Sequence, residues 1–238
     1  MPTFQKLDIF ESSPSMSQIL FDRVTFTYPE ASAPALSGVS LGIEAGQFTL
    51  ITGPSGSGKS TLLYTIGGLL TPTEGTVQVN GSQVYRLTPR QRARFRRDNV
   101  GFIFQTFELL PYLTAQENVM LPLSLSGVSS QDQEEMALEA LEKVGLGNRV
   151  KHKPSELSGG EQQRVAIARG IVNKPNILLA DEPTGNLDQK TGDGIMRLLV
   201  ELNGWDAQTI VFVTHSQSMA KYADEAVGMM DGRIVTRS

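Results

Sequence analysis

The chain has 238 residues, of which 39% are hydrophobic and 19% charged, with a net charge of −4 and no cysteine. That composition is an ordinary globular one, long enough for one or two domains. It excludes disulfides and thiolate metal centres, gives no electrostatic reason to expect a nucleic-acid partner, and contains no run of ~18 apolar residues that would span a membrane.

Taken in chain order, the start Met1-Pro2-Thr3-Phe4-Gln5-Lys6 has no basic segment followed by an apolar one. This predicts no secretory leader and a cytoplasmic protein. Residues 1–17 read as a flexible tail, with Ser12-Ser13-Pro14-Ser15 as linker and Met16 able to begin a complete domain. The folded domain is therefore expected over 18–238. A strand pattern starts at Ile19, runs through Val24, Phe26 and Tyr28, and stops at Pro29. Further strands are predicted over 39–43, 48–52, 76–79, 101–104, 177–180, 209–214 and 226–230. Helical spacing predicts helices over 59–69, 136–144, 160–171 and 195–202. The stretch from Thr106 to Glu156 has no strand pattern and reads as a helical insertion. Strands alternating with helices predict an α/β fold with a mostly parallel sheet joined by crossovers.

Gly53-Pro54-Ser55-Gly56-Ser57-Gly58-Lys59-Ser60 matches the phosphate-loop pattern, and the apolar residues Phe48-Thr49-Leu50-Ile51 precede it. Its glycines let the backbone N–H groups converge on one anion-sized hollow, and the following helix adds its positive end. Lys59 is expected to reach the β- and γ-phosphates, and the Ser60 hydroxyl to bind Mg²⁺. Ile177-Leu178-Leu179-Ala180 runs into Asp181-Glu182, at the strand end where open α/β sheets place ligands. Alone, that reads as a strand ending in an acidic turn. Paired with the phosphate loop, it predicts Asp181 as a water-mediated metal ligand and Glu182 as the group that polarises an attacking water.

Leu157-Ser158-Gly159-Gly160-Glu161 opens the helix predicted from 160. Ser158 and Glu161 satisfy a capping box, which leaves two consecutive glycines unexplained. They weaken a helix but open its backbone to close approach, and a bare helix start is an anion site. The cluster Arg86, Arg90, Arg92, Arg94, Arg96 and Arg97 reads first as a solvated helix face; a contact with anionic lipid headgroups is the other reading. His152 reads as a surface residue and Trp205 as a surface-loop anchor.

Ser158-Gly159-Gly160-Glu161, between the phosphate loop and the acidic strand end, resembles the signature of ATP-binding-cassette (ABC) ATPases. The resemblance covers residues 19–238 and implies a mostly parallel core sheet, a small antiparallel β subdomain and a helical subdomain over about 106–158. It implies ATP and Mg²⁺ as cofactors, Thr61 among the nucleotide-binding residues, and Tyr28 as the aromatic group that stacks on adenine. Gln105, after Gly101-Phe102-Ile103-Phe104, resembles the glutamine linking metal and γ-phosphate to the helical subdomain. Leu187-Asp188 is similar to the loop that crosses a dimer interface, and His215 to a γ-phosphate-sensing histidine. In such a homodimer Ser158, Gly159, Gly160 and Glu161 of one chain would close over the ATP held by the other.

Asp181-Glu182-Pro183-Thr184-Gly185-Asn186-Leu187-Asp188, Leu109-Leu110-Pro111 and Thr114-Ala115-Gln116-Glu117-Asn118-Val119 are similar to bacterial ATPases of the lipoprotein-release and macrolide-efflux type. That resemblance implies an export or mechanotransmission subunit on the cytoplasmic face of the inner membrane. Its partner would be a separate membrane permease contacting the segment from Gln105 to Val119. Within that segment Phe107, Leu109, Leu110, Tyr112 and Leu113 form either an exposed patch or packing inside the helical subdomain. A non-transport ATPase that regulates cell-division or cell-wall machinery is the alternative reading.

Overall fold

The computed structural model describes residues 17–238, so all but Ser17 of the expected tail lies outside the described residues. The elements begin with strands β1 (Ile19–Phe26), β2 (Leu36–Ile43) and β3 (Phe48–Thr52), then helix α1 (Lys59–Ile66). Strands β4 (Glu74–Val79) and β5 (Ser82–Gln83), helix α2 (Pro89–Asn99) and strand β6 (Val100–Ile103) follow. Helices α3 (Ala115–Ser124), α4 (Ser130–Lys143) and α5 (Gly159–Ile171) come next. The chain closes with β7 (Ile177–Asp181), α6 (Gln189–Asp206), β8 (Thr209–Thr214), β9 (Glu225–Met230) and β10 (Arg233–Arg237).

The architecture is the expected α/β one. A six-stranded sheet runs β10-β9-β3-β8-β7-β6, parallel except for β10 against β9. A second sheet, β2-β1-β4-β5, is antiparallel throughout. Strands β7 and β8 are buried along their whole length, as parallel strands covered on both faces must be. Their side chains alternate between two cores, because successive residues point to opposite faces. Leu50, Leu178, Ile210 and Phe212 join Val165 and Ile167 of α5 and Ile195 and Leu199 of α6. Ile51, Leu179, Val211 and Val213 join Leu62 and Ile66 of α1 and Phe21 and Val24 of β1.

Several boundaries differ from the sequence expectation for local reasons. Helix α1 stops at Ile66 instead of reaching Leu69. A Cβ on Gly67 would sit 2.1 Å from the Phe102 ring, and Gly68 turns the chain at φ +70°. Strands β5 and β10 were not anticipated. Each follows a two-residue turn, Asn80-Gly81 and Asp231-Gly232, with both central residues at positive φ, the short hairpin geometry favoured for those pairs.

Helix α2 contains most of the arginine run and starts at a capping box between Thr88 and Gln91, with Pro89 in its first turn. The run is not uniformly solvated. Arg92 donates to Thr71 and lies 5.5 Å over the Tyr85 ring, Arg96 donates to the Gly68 carbonyl, and Arg97 to that of Leu125. Arg86, Arg90 and Arg94 are exposed. Trp205 belongs to the last turn of α6 and not to a loop, though it is exposed.

Candidate functional site

Register places the site. Thr52 at the end of β3 pairs with Thr214 of β8, and Asp181 at the end of β7 pairs with Val213. The phosphate loop, the Asp181-Glu182 pair and His215 therefore leave the parallel sheet at one edge, the carboxyl edge where such sheets hold ligands.

The loop itself is held by its surroundings. Gly53, Gly56 and Gly58 have φ of +157°, +79° and +98°. A Cβ on Gly53 would lie 2.2 Å from the Met229 carbonyl oxygen, and one on Gly58 would lie 2.3 Å from that of Ala35. Glycine is required at both by close backbone approach as well as by conformation. The amide of Gly232, in the β9–β10 turn, donates to the Ser57 carbonyl at 3.1 Å.

Lys59 is 5% exposed, and its ammonium donates to the carbonyls of Gly53 and Pro54, each at 2.9 Å. Both acceptors are neutral, so the buried cation lacks a charged partner in these contacts; a phosphate fits that deficit. Ser60 donates to Asp181 Oδ1 at 2.9 Å and Tyr64 donates to Oδ2 at 2.7 Å. Asp181 is itself only 8% exposed. A hydroxyl and a carboxylate side by side are hard oxygen donors of the kind Mg²⁺ takes alongside substrate phosphates. Among the described residues no group of three His, Cys, Asp or Glu forms a cage for a metal, so the fit is to a cation that relies on phosphate oxygens for the rest of its shell.

Glu182 has a left-handed backbone, φ +44°, which costs a non-glycine residue roughly 1–3 kcal/mol. Its amide donates to the Val213 carbonyl, and its Oε2 lies 3.1 Å from His215 Nδ1. The next turn folds back, with the Gly185 amide on the Glu182 carbonyl. Gln105 is drawn to this turn. Asn186 donates to its carbonyl at 3.0 Å, and a Cβ on Gly185 would lie 2.9 Å from its Nε2. Tyr28 packs edge-on against Phe26 with ring centroids 4.8 Å apart, and its hydroxyl lies 3.2 Å from Thr61 Oγ1 at the start of α1.

The remaining site candidates stand apart. The Ser158 hydroxyl and amide both donate to Glu161 Oε2 at 2.8 Å, while the Glu161 amide returns to Ser158 Oγ. These bonds, the backbone one first, hold the Glu161 carboxyl below the ordinary carboxylate range. A Cβ on Gly160 would meet Thr191 at 2.5 Å, and one on Gly159 would touch Leu187. Among the described residues no hydrogen bond joins Ser158–Glu161 to the phosphate loop. Asp188 caps α6 by accepting from the Thr191 amide and hydroxyl, which lowers its carboxyl.

Two side chains that sequence reasoning missed belong to this region. Tyr64 lies one helical turn after Ser60, a spacing visible in the sequence, but nothing local pointed it at Asp181. Arg169 of α5 donates to the carbonyls of Phe107 and Glu108, which follow Gln105 and both have positive φ; no motif marks that pairing.

Of the apolar side chains between 107 and 113, Leu109 packs against the core, Phe107, Leu110 and Leu113 are half-buried, and Tyr112 is exposed. Beside them an open groove of about 550 Å³ is lined by Phe102, Phe104, Leu121, Pro122 and Leu125, with Arg169 and Glu108 among its polar groups.

The chain matches the ABC transporter family over residues 36–185. It is 46% identical over 215 residues to the lipoprotein-releasing system ATP-binding protein LolD of Xanthomonas campestris pv. campestris, a match covering 90% of each chain. It is 46% identical over 218 residues to the macrolide export ATP-binding/permease protein MacB of Syntrophobacter fumaroxidans, covering 91% of this chain and 30% of that protein. It also resembles the solved dimeric post-hydrolysis state of the ATP-binding cassette MJ0796 bound to ADP and Pi. There the TM-score is 0.85 at 44% identity, covering 92% of this chain and 97% of that one. This chain belongs to the ABC transporter family, as an ATP-binding, ATP-hydrolysing subunit.

Proposed function

We propose that the chain is the motor of an export or mechanotransmission complex and works as a homodimer with ATP sandwiched between two copies. Residues 18–238 form its ABC ATPase domain, with 106–158 as the helical subdomain. Lys59, Ser60, Thr61 and the amides of the Gly53–Gly58 loop other than Pro54, which only shapes the turn, hold the phosphates of one ATP, and Tyr28 stacks on its adenine. Ser158, Gly159, Gly160 and Glu161 of the second copy close over the γ-phosphate, with Asp188 at the interface. Ser60, Gln105 and Asp181 hold Mg²⁺, which when bound neutralises charge on the β- and γ-phosphates. Glu182 orients the attacking water, and His215 keeps the Glu182 carboxylate in place while donating toward the γ-phosphate.

The observation that carries this reading is the division of the site. The phosphate loop, Asp181, Glu182 and His215 share one sheet edge, while the glycine turn of α5, among the described residues, makes no hydrogen bond to them. A second copy supplies what the first lacks. The dimeric state of the MJ0796 cassette supports the assembly. The names of LolD and MacB favour transport over a purely regulatory ATPase.

No helix among the described residues is long and apolar enough to cross a membrane, so membrane work needs a partner. MacB joins an ATP-binding part and a permease in one chain, of which this protein spans 30%. By that analogy the partner is a separate permease, and this chain lies against it on the cytoplasmic face of the inner membrane. The segment from Gln105 to Val119 and the groove bordered by Phe104 and Leu125 supply the contact. Glu182→Gln tests the mechanism. It should elute as a dimer with Mg²⁺ and ATP and lose turnover by roughly 100-fold or more, the scale of a general base. A variant that stays monomeric in saturating Mg-ATP, or hydrolyses at the parent rate, would sink the shared-site reading.

A further inference from the structure

Helix α1 presents two hydroxyls to one carboxylate. Ser60 and Tyr64 are four residues apart and so share a helix face, and each donates to a different oxygen of Asp181, at 2.9 and 2.7 Å. The bond from Ser60 uses only its proton and leaves the oxygen's lone pairs free for a cation. The bond from Tyr64 has another consequence. It occupies the second carboxylate oxygen of a residue that is almost fully buried, which pins the plane of the group and satisfies an acceptor that would otherwise be costly to bury. A phenol is protonated at neutral pH, so Tyr64 acts there as a donor to the carboxylate.

We propose that Tyr64 is a positioning residue of the divalent-cation site, holding the Asp181 carboxylate in the orientation that receives Mg²⁺ without touching the ion itself. The proposal rests on the Mg²⁺ reading above. Outer partners that orient a ligating group commonly change metal affinity by an order of magnitude.

The test is Mg²⁺ titration of the full-length protein with a fluorescent ATP analogue. Tyr64→Phe should raise the Mg²⁺ concentration at half-saturation by roughly 10-fold, while affinity for the analogue in EDTA stays at the parent value. Tyr85→Phe is the control for losing a buried tyrosine hydroxyl. The Tyr85 hydroxyl shares its one proton between the carbonyls of Thr65 and Leu70, so its loss should lower thermal stability and leave the Mg²⁺ midpoint alone. A parent-like midpoint in Tyr64→Phe, or an equal shift in Tyr85→Phe, overturns the assignment of Tyr64. Asp181→Asn separates the two layers. If it shifts the midpoint while Tyr64→Phe does not, only the positioning role fails; if Asp181→Asn shifts nothing, the cation reading itself fails.

Discussion

Lys59 is a buried cation that donates to two backbone carbonyls of its own loop, those of Gly53 and Pro54. Such a group has two of its three donors placed and no counter-charge in those contacts, so it gains most when an anion enters. Lys59→Ala should weaken ATP binding by roughly 10–100-fold, the scale of a lost charge-assisted bond, without a matching loss of folding stability. Isothermal titration and thermal melting of the same preparation check both halves; parent-like affinity would remove Lys59 from the phosphate site. The residues of the loop could be read from spacing alone because a phosphate cradle is a local backbone structure. The strained φ of Glu182 and the hydroxyl of Tyr64 on Asp181 could not, since both depend on where β7 ends relative to α1 and β8.

At the scale of elements, α5 is the piece that ties parts of the site together. Its Gly170 carbonyl would lie 2.1 Å from a Cβ on Gly101, so the helix crosses β6 at backbone contact. One residue before that, Arg169 reaches back to the carbonyls of Phe107 and Glu108. Those two residues hold left-handed conformations that are unfavourable for their side chains, and the guanidinium fork compensates by binding both. Arg169→Ala should destabilise the fold by about 1–2 kcal/mol, the loss of two charge-assisted bonds to partly exposed carbonyls, and raise amide exchange over 105–110 more than over the α6 core. Denaturant melts and hydrogen exchange measure it; unchanged protection there would show that the loop holds itself.

The helix start at Ser158 was readable from its capping box, whereas the one at Thr88 was not anticipated, because the basic composition of α2 hides the apolar period behind its cap. The hairpins at Asn80-Gly81 and Asp231-Gly232 carried a turn signal, but β5 and β10 offered too little apolar alternation to stand out beside it.

The whole molecule is held partly by carboxylates at helix starts. Glu117 caps α3, Glu161 caps α5 and Asp188 caps α6, and the hydrogen bonds they accept lower all three below their ordinary range. In that situation the unfolded chain binds more protons than the native one as acid is added. The stabilisation is present above the unfolded carboxylate pKa, about 4, and is lost as pH falls below it. The urea midpoint should therefore fall modestly on acidification, because the three groups are solvent-screened, and a variant carrying Glu117→Gln and Glu161→Gln should show a shallower drop. Identical profiles would mean that the caps contribute nothing measurable.

On the alkaline side Tyr64 and Tyr85 act in the opposite sense. Burial raises both phenols, so their contribution is complete below the ordinary tyrosine value of about 10 and disappears as pH rises past their native values. Ultraviolet titration should find two of the five tyrosines ionising late.

The amino-acid sequence by itself determined what local interactions and short periods encode. Those are the phosphate loop, the capped glycine turn at Ser158, the apolar strand ending in Asp181-Glu182, and the alternation of strands with helices that makes a parallel sheet the way to bury them. Only the tertiary structure decided which of these meet. Pairing of β3 with β8 and of β7 with β8 brings Lys59, Asp181 and His215 to one edge, while the packing of α5 sets Ser158 apart, with no hydrogen bond to that edge among the described residues. The hydroxyls on Asp181 come from residues 121 and 117 positions away, and the carbonyls that Arg169 holds from residues 61 and 62 positions away. No local pattern reports contacts over such separations, because they follow from sheet register and the face each helix buries.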